Sequence, residues 1–173
     1  FMPVLDAEFT KLSISGMLAT RISYINDLAV VAEKLGIDIE HVRQGMAADS
    51  RIGASYLYPS AGFGGENFSH DIMTLANTVS GTGVKSQLLA QVWEINQQQK
   101  ELLFRKLWNY FHGDLNGKTV AIWGAAFKEN TSRIQQSPIH VMLNALWAQG
   151  VKVKLHDPQA LAEIEKIYGH RED

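Results

Sequence analysis

The chain has 173 residues, a formal net charge of −2, 46% hydrophobic and 20% charged residues, and no cysteine. That length suits one ordinary domain, or a small domain and part of another. The charge balance, without any Lys/Arg cluster, argues against a nucleic-acid partner, and no apolar run reaches the roughly 18 residues of a membrane span. The absence of cysteine excludes disulfides, cysteine-ligated zinc and thiol catalysis within the chain. Since no two of the six histidines are spaced i, i+4, no metal site is predicted.

The amino-terminal part of the sequence predicts two helices. Apolar residues follow helical spacing over Asp6–Leu35, and Gly36 is a plausible stop. A short second helix is expected over Asp38–Met46, with Asp38 as its N-cap. Glycine, serine, proline and aromatic residues then break the pattern over 50–69. A long irregular segment of this kind usually has a functional reason.

Two more helices are predicted before residue 112. The first covers His70–Thr78 and is followed by the punctuation Gly81-Thr82-Gly83. A single apolar stripe then predicts one helix over Lys85–Phe111, roughly 40 Å long at about 1.5 Å per residue. A helix of that length commonly bridges domains or packs on a partner.

Beyond residue 112 the pattern becomes that of an α/β domain. Thr119–Gly124 is typical of a buried strand, and Val151–Leu155 of a second strand. Between them, Ser137 and Pro138 suit the N-cap and first position of a helix. A strand–helix–strand unit indicates the opening of a parallel, Rossmann-like sheet. Two strands and a final helix cannot complete such a sheet, so we expect this domain to be cut short.

Two loops invite a ligand interpretation. The segment Gly62–Asp71 (GFGGENFSHD) has glycines that would let backbone approach a ligand, but no strong nucleophile follows them. The loop 124–131 (GAAFKENT) lacks the G-x-G-x-x-G pattern that places a pyrophosphate at a helix amino terminus. For Lys128 two interpretations stay open: a contact to a phosphate or uracil, and an ordinary solvated lysine.

Seven short motifs occur in order along nearly the whole chain. Together they resemble the UDP-glucose/GDP-mannose 6-dehydrogenase family. The motifs are Glu8-Phe9-Thr10-Lys11, Arg21-Ile22-Ser23-Tyr24-Ile25-Asn26, Asp49-Ser50-Arg51-Ile52-Gly53, Gly62-Phe63-Gly64-Gly65, Ala126-Phe127-Lys128-Glu129-Asn130-Thr131, Ser137-Pro138 and Asp157-Pro158.

The resemblance implies a fold and a set of partners. Residues 1–111 would form an α-helical central dimerisation domain, and 115–173 the truncated start of an α/β, Rossmann-like domain that binds a nucleotide sugar. The NAD-binding domain would lie upstream of this chain. The partners implied are a UDP- or GDP-sugar, NAD and a second copy of the chain, without nucleic acid or membrane, in the cytoplasm.

The family's chemistry, as the resemblance implies it, oxidises a sugar C6 alcohol twice with NAD and yields polysaccharide precursors. A cysteine thiolate attacks the intermediate aldehyde, because the aldehyde carbon offers no transferable hydride until a nucleophile makes it tetrahedral. A lysine and an asparagine of the first helix hold an oxyanion or water, and an aspartate assists proton transfer.

Carried over position by position, the catalytic set is only partly retained. Lys11 matches the lysine and Asp71 the aspartate, whereas Ser15 stands at the asparagine position and Asn67 at the cysteine position. An amide cannot replace a thiolate, because its nitrogen lone pair is delocalised. We therefore expect the family's second oxidation to be lost.

The other site positions are also partly altered and partly retained. His70 replaces a lysine and Gln135 an arginine at the cofactor-binding positions, while Ser132 and Arg133 replace an acidic pair. The positions that shape the fold or contact the nucleotide sugar are retained: Arg51, Tyr56, Leu57, Gly64, Gly65, Phe68, Phe127 and Lys128.

Three interpretations remain open at this point. The protein is a divergent dehydrogenase that keeps the alcohol oxidation through Lys11 and Asp71, with water as a later nucleophile. Alternatively, it is an inactive paralogue that binds a nucleotide sugar or a partner, or a purely structural relative. A Ser69 nucleophile with His70 as its base is disfavoured, because adjacent residues at a helix start point in different directions.

Overall fold

A computed structural model of the chain describes residues 1–84 and 87–170. Its elements are α1 (Val4–Leu35), α2 (Ile39–Ala48), α3 (Glu66–Gly81), α4 (Gln87–Lys100), α5 (Leu102–Tyr110), β1 (Thr119–Trp123), α6 (Pro138–Ala148), β2 (Lys152–His156) and α7 (Leu161–Tyr168). This largely helical chain with a small parallel sheet confirms the predicted fold class. None of the helices in the described part is long and apolar enough to cross a membrane.

The chain forms two compact units. The first unit comprises residues 1–62 and 70–99, and the second comprises 63–69 together with the chain from residue 100 onward. The functional domains 1–111 and 115–173 stay a prediction, because compactness by itself does not reveal which residues dimerise or bind a ligand.

The predicted stop of the first helix and the predicted N-cap of the second are confirmed, although α1 begins two residues before Asp6 and α2 ends two residues after Met46. Gly36 ends α1 with a left-handed backbone (φ 69°), and its amide donates to the carbonyls of Ala32 and Glu33. Glycine adopts that conformation without the steric cost of a Cβ. At the start of α2, the Asp38 carboxylate accepts a 2.8 Å hydrogen bond from the Glu40 amide. This side-chain cap satisfies one of the amides that a helix start leaves unpaired.

The start predicted for the third helix is wrong by one turn. The helix begins at Glu66 rather than His70, and the Ser69 amide already donates to the Gly65 carbonyl at 3.2 Å. Nothing in the residues after the glycine pair opposes a helix, and Gly65 itself supplies the positive φ of 89° at which the chain turns in. Asn67 therefore lies on the first turn of α3, not in a loop.

The single helix predicted over Lys85–Phe111 is also wrong, and its first two residues lie outside the described part. Two helices, α4 and α5, meet at Glu101 (φ −88°, ψ −13°). On one side of the junction, Gln99 bonds a carbonyl of the first unit. On the other, buried Lys100 donates at 3.0 Å to the Gln136 carbonyl of the second unit. The apolar stripe in the sequence could not predict the break at Glu101, because the residues on both sides of the break keep helical spacing.

The strands pair as the sequence predicts but are less buried. β1 and β2 run parallel, from Thr119 opposite Lys152 to Trp123 opposite His156. Both strands alternate between exposed and half-buried residues, and Trp123 is 89% exposed. The predicted buried strand is therefore wrong for β1: only one face of this two-stranded sheet packs on the helices. That face supplies Val120, Ile122, Val153 and Leu155 to the cores of the second unit.

Asp157, directly after β2, ties the loop that follows β1 to the start of α7. One carboxylate oxygen accepts the amides of Ala125 (2.8 Å) and Ala126 (3.2 Å), and the other accepts those of Gln159 (2.8 Å) and Ala160 (2.7 Å). Burial alone would raise the pKa of Asp157, but the four amide donors outweigh it and lower the pKa from 3.8 to about 2.

Replacing Asp157 by Asn should destabilise the second unit in a pH-dependent way. Because the folded-state pKa lies below the unfolded one, the stabilisation is complete above the unfolded pKa and is lost as the pH falls through about 4 to about 2. We expect Asp157→Asn to lower the free energy of unfolding by about 2 kcal/mol at pH 7, and by much less near pH 2. Urea unfolding at both pH values measures this. A loss that is equal at both, or no larger than that of the exposed control Asp114→Asn, would contradict it.

Candidate functional site

A compact polar cluster joins α1 and α3 within the first unit. Lys11 Nζ forms an ion pair with Asp71 Oδ1, and Ser15 Oγ donates to Asp71 Oδ2 at 2.9 Å. Lys11 and Ser15 lie one helical turn apart on the same side of α1, which is why both reach one carboxylate. Ser15 and Asp71 are buried, whereas the Lys11 side chain is 64% exposed. Both carboxylate oxygens are thus occupied, and the ammonium faces solvent.

The protonation state of Asp71 follows from these partners. Burial by itself would raise the pKa of Asp71, but the hydrogen bonds from Lys11 and Ser15 and the charge of Lys11 outweigh it, so the pKa lies below its usual value. Asp71 is therefore a carboxylate at neutral pH. It can fix the ammonium and accept hydrogen bonds, but it is a weak base.

The glycine pair before α3 is packed against protein rather than left open. A Cβ at Gly64 would lie 2.5 Å from the Gln136 carbonyl oxygen, and one at Gly65 would lie 2.8 Å from the Phe127 ring. In addition, the Gly65 amide donates to the Gln135 carbonyl at 2.9 Å. The close approach of Gln136 and Phe127 within the second unit is by itself sufficient to require glycine at both positions. Their predicted contact with a nucleotide sugar stays a prediction.

The first turn of α3 presents three different environments. Asn67 is exposed, and the Phe68 ring is half-buried and meets Phe63 edge-on at 5.3 Å between centroids. Ser69 is 4% exposed, and its hydroxyl has no hydrogen-bond partner among the described residues. His70 is exposed, with Nδ1 3.4 Å from the Thr74 hydroxyl. Ser69 is therefore neither accessible nor activated as a nucleophile.

In the segment after α2, Arg51 is exposed, whereas Leu57, a predicted ligand contact, is buried. The Arg51 side chain is 87% exposed and pairs with Asp49 at 2.6 Å. Tyr56 adopts a positive φ of 60° and is half-exposed. Leu57, in contrast, is 2% exposed, so its side chain is part of the core. Any contact of Leu57 with a ligand is limited to its backbone.

The loop after β1 carries the remaining predicted residues. Lys128 and Gln135 are both exposed, and Lys128 Nζ lies 5.6 Å from the centroid of the Phe127 ring. Phe127 is half-buried against Gly65. The loop is held at its other end by the Ser137 hydroxyl, which donates to the Ala125 carbonyl at 2.8 Å.

Three polar residues with supporting roles escaped a functional assignment from the sequence. Asn26 accepts the Ser60 amide at 2.8 Å, and Gln99 donates to the Ser60 carbonyl at 2.6 Å. Arg21 bonds three carbonyls of the 52–55 segment. The sequence did offer a signal, since Arg21 and Asn26 are the first and last residues of one of the seven motifs, but it does not reveal which groups these side chains hold.

Substituting Gly65 should test whether close approach explains the glycine pair. We expect Gly65→Ala to cost about 2–5 kcal/mol of stability, since a positive φ costs a residue with a Cβ about 1–2 kcal/mol and overpacking costs about 1–3 kcal/mol. Gly117, at φ 70° with nothing within 4 Å of a Cβ, is the matched control and should lose only the first amount. Denaturant unfolding measures both.

A second substitution separates the two costs. Phe127→Leu in the Gly65→Ala background should return part of the lost stability, because the smaller side chain relieves the clash. If Gly65→Ala costs no more than Gly117→Ala, packing against Phe127 is not what requires glycine at this position.

Comparison with known proteins gives the chain its family. Residues 5–98 match the family model described as the UDP-glucose/GDP-mannose dehydrogenase family, central domain, and residues 121–172 match that family's UDP binding domain. The UDP-glucose 6-dehydrogenase of Pseudomonas aeruginosa is 42% identical over 163 residues, which cover 94% of this chain and 36% of the relative. UDP-glucose 6-dehydrogenase TuaD of Bacillus subtilis is 35% identical over 166 residues, covering 96% and 36%.

Solved structures agree with the sequence relatives. A UDP-glucose dehydrogenase from Pyrobaculum islandicum superposes with a TM-score of 0.90 at 29% identity, over 95% of this chain and 38% of that one. The UDP-N-acetyl-mannosamine dehydrogenase Cap5O from Staphylococcus aureus has a TM-score of 0.71 at 19% identity and shares the fold. The chain spans about 36% of the length of the two sequence relatives. It belongs to the UDP-glucose/GDP-mannose dehydrogenase family.

Proposed function

We propose that the protein oxidises the C6 alcohol of a UDP- or GDP-sugar with NAD and has lost the family's usual second oxidation. The observation that carries the proposal is the contact among Lys11, Ser15 and Asp71. It brings together a solvent-facing ammonium and a buried carboxylate that keeps it in place. These are the residue types that alcohol oxidation requires to stabilise negative charge on oxygen.

Lys11 would act on the alcohol oxygen. One of its N–H groups is committed to Asp71, and an ammonium has two more to donate. Donation to the C6 oxygen stabilises the charge that develops as the hydroxyl proton leaves. Asp71 is too weak a base to take that proton unaided. It therefore serves to orient Lys11 and to accept a hydrogen bond from a water that carries the proton away.

The residues of this chain fit NAD poorly. His70 and Gln135 occupy the positions expected to help hold it, both are exposed, and neither supplies the fixed cation of a lysine or arginine. When bound, NAD would accept the hydride from C6. We assign its binding to a part of the protein upstream of these residues.

Asn67 limits how far the oxidation proceeds. Its exposed amide cannot add to the aldehyde, so no covalent intermediate forms through this position. The aldehyde can still react with water to give a hydrate, whose carbon again bears a transferable hydride. That route lacks covalent activation, so we expect aldehyde to accumulate before acid forms.

An inactive, nucleotide-sugar-binding or assembly role is the second candidate, and one contact favours it. Ser15 points its hydroxyl into the protein, where it is buried and donates to Asp71. A side chain used in this way is not free to hold an oxyanion or a water, as the asparagine of the family does. If Lys11 alone cannot sustain catalysis, the protein would bind a nucleotide sugar without oxidising it.

The test is cofactor reduction by the protein at its full encoded length. With UDP-glucose or GDP-mannose as the substrate, we expect about one NADH per sugar in the first phase and a much slower second. Lys11→Met should reduce the first phase at least about a hundredfold, the scale on which oxyanion donors act. Lys34→Met, on the same helix, is the control. Asn67→Cys alone should restore little of the second phase, because Ser15 and Gln135 are unchanged.

Two outcomes would change the assignment. Heat of binding with a nucleotide sugar but no NADH would favour the inactive paralogue. Two NADH per sugar at an ordinary turnover, about 1 per second or faster, would show that the second oxidation survives without the thiol.

We also propose that α1 pairs with a second copy of the chain. Five of the exposed apolar residues on α1, each 48–67% exposed, repeat at spacings of three, four and seven, which places them along one side of the helix. An apolar stripe of this kind is typical of an isologous contact about a two-fold axis. We call it the α1 stripe: Ile14, Met17, Tyr24, Val31 and Leu35.

Charges in the stripe should dissociate the proposed dimer. Met17→Glu combined with Tyr24→Glu places two like charges in an apolar contact, and the symmetry of a dimer doubles them. We expect sedimentation at micromolar concentration to give a dimer for the wild type and a monomer for the double variant. Glu33→Lys, on roughly the opposite side of α1 at about 100° per residue, should stay dimeric. A monomeric wild type would exclude the proposal.

A further inference from the structure

Arg21 on α1 holds an irregular segment by its backbone. All three guanidinium nitrogens donate at 2.9 Å: Nε to the Ser55 carbonyl, Nη1 to that of Ile52 and Nη2 to that of Gly53. The three acceptors fall within four consecutive residues that belong to neither helix nor strand. The planar fork of an arginine matches such a set of acceptors, whereas a lysine presents its donors at a single point.

The bonds that the segment makes within itself leave these carbonyls to Arg21. The amides of Ile52 and Gly53 both donate to the Asp49 carbonyl at 2.9 Å. This turn uses the amides of the two residues but leaves their carbonyls available as acceptors. Gly53 continues the chain with a positive φ of 69°. Arg21 is thus the link between this turn and the rigid helix α1.

The turn displays Arg51 next to the pinned residues. The Asp49 carboxylate accepts the Arg51 amide and Nε at 3.0 Å each, and Nη2 at 2.6 Å. Arg51 is nevertheless 87% exposed, so its guanidinium is held in direction without being buried. An exposed, pre-oriented guanidinium suits a ligand diphosphate, to which it can donate two parallel hydrogen bonds.

We propose that Arg21 is a positioning residue for a diphosphate contact made by Arg51. Arg21 fixes the backbone that follows Arg51, Asp49 fixes the side chain, and together they present a guanidinium ready for the diphosphate of a nucleotide sugar. The ligand in this inference rests on the proposed function. The fixation of the turn by Arg21 does not, and the two are tested separately.

The first experiment measures affinity for UDP-glucose by calorimetry on the protein at its full encoded length. Arg21→Lys keeps the charge but cannot span three carbonyls, and we expect about tenfold to a hundredfold weaker binding, as misplacement of a binding group by about 1 Å produces. Arg51→Ala should weaken binding by at least as much. The control Lys34→Gln, also on α1, should leave affinity unchanged.

Combining the two substitutions distinguishes positioning from general damage. If Arg21 acts through Arg51, Arg21→Lys should change affinity less than about twofold in the Arg51→Ala background. A loss of stability alone would weaken binding equally in both backgrounds, so equal effects would overturn the proposal. Unchanged affinity of Arg21→Lys would overturn it as well.

The second experiment needs no ligand. Trypsin cleaves after Arg51 only if the residues that follow it unfold locally. Those residues include Ile52, Gly53 and Ser55, whose carbonyls Arg21 binds. We expect Arg21→Gln to be cut between Arg51 and Ile52 at least about tenfold faster than the wild type, relative to cleavage after Arg133 in the same sample. This is the regime in which cleavage reports local opening.

The two experiments fail in distinguishable ways. Equal relative cleavage in Arg21→Gln and wild type would show that Arg21 does not fix the turn, whatever the protein binds. Faster cleavage in the variant, together with no binding of UDP-glucose by the wild type, would refute the proposed ligand and retain the fixation of the turn.

Discussion

The first turn of α3 is placed by a backbone contact that admits no side chain. Gly64 and Gly65 pass so close to the Gln136 carbonyl and the Phe127 ring that a Cβ at either position would lie within 2.5–2.8 Å of them. The chain turns there at a positive φ and enters α3 at Glu66. Because the helix starts at that residue, Asn67 belongs to its first turn. The two glycines are therefore required by packing, whatever residue follows them in the first turn of α3.

Ser15 gives the Asp71 carboxylate a second hydrogen-bond donor. Serine is short enough to direct its hydroxyl at Asp71 while staying buried on α1. The carboxylate thereby gains a second donor besides Lys11, and its pKa falls below the usual value despite burial. Such a carboxylate is a good anchor for an ammonium and a poor proton acceptor. Ser15 thus consolidates the lysine–aspartate pair.

The sequence predicted the features that depend on local spacing. Helical periodicity located α1, and the capping chemistry of Asp38 and of Ser137 with Pro138 appears at the predicted positions. The errors lie where tertiary contacts decide. The first turn of α3 and the interruption at Glu101 leave the apolar spacing intact, so periodicity could not reveal them. Residue identities likewise located Lys11 and Asp71 by resemblance, but only the fold shows that Ser15 shares their carboxylate.

Helix α1 also shows why a periodic pattern does not say which face is the core. Its buried residues are mostly small or polar, and two of them bond backbone elsewhere in the first unit: Ser23 donates to the Val92 carbonyl at 3.0 Å and Asn26 accepts the Ser60 amide at 2.8 Å. Arg21 adds its three carbonyls. Among its large apolar residues Ile25 is fully buried, whereas the five of the α1 stripe are exposed.

The different residues on the two faces of α1 have a physical explanation. Buried polar side chains are tolerated on α1 because each finds a hydrogen-bond partner in the first unit: Ser15 donates to Asp71, Ser23 donates to the Val92 carbonyl, and Asn26 accepts the Ser60 amide. Gly16 allows close packing, since a Cβ there would lie 3.0 Å from Leu75 of α3 and 3.3 Å from Leu89 of α4. The exposed apolar residues of the α1 stripe cost least if a partner covers them. One helix can therefore hold an irregular segment and at the same time leave an apolar stripe exposed. Arg21 of α1 bonds the backbone that directly follows Arg51.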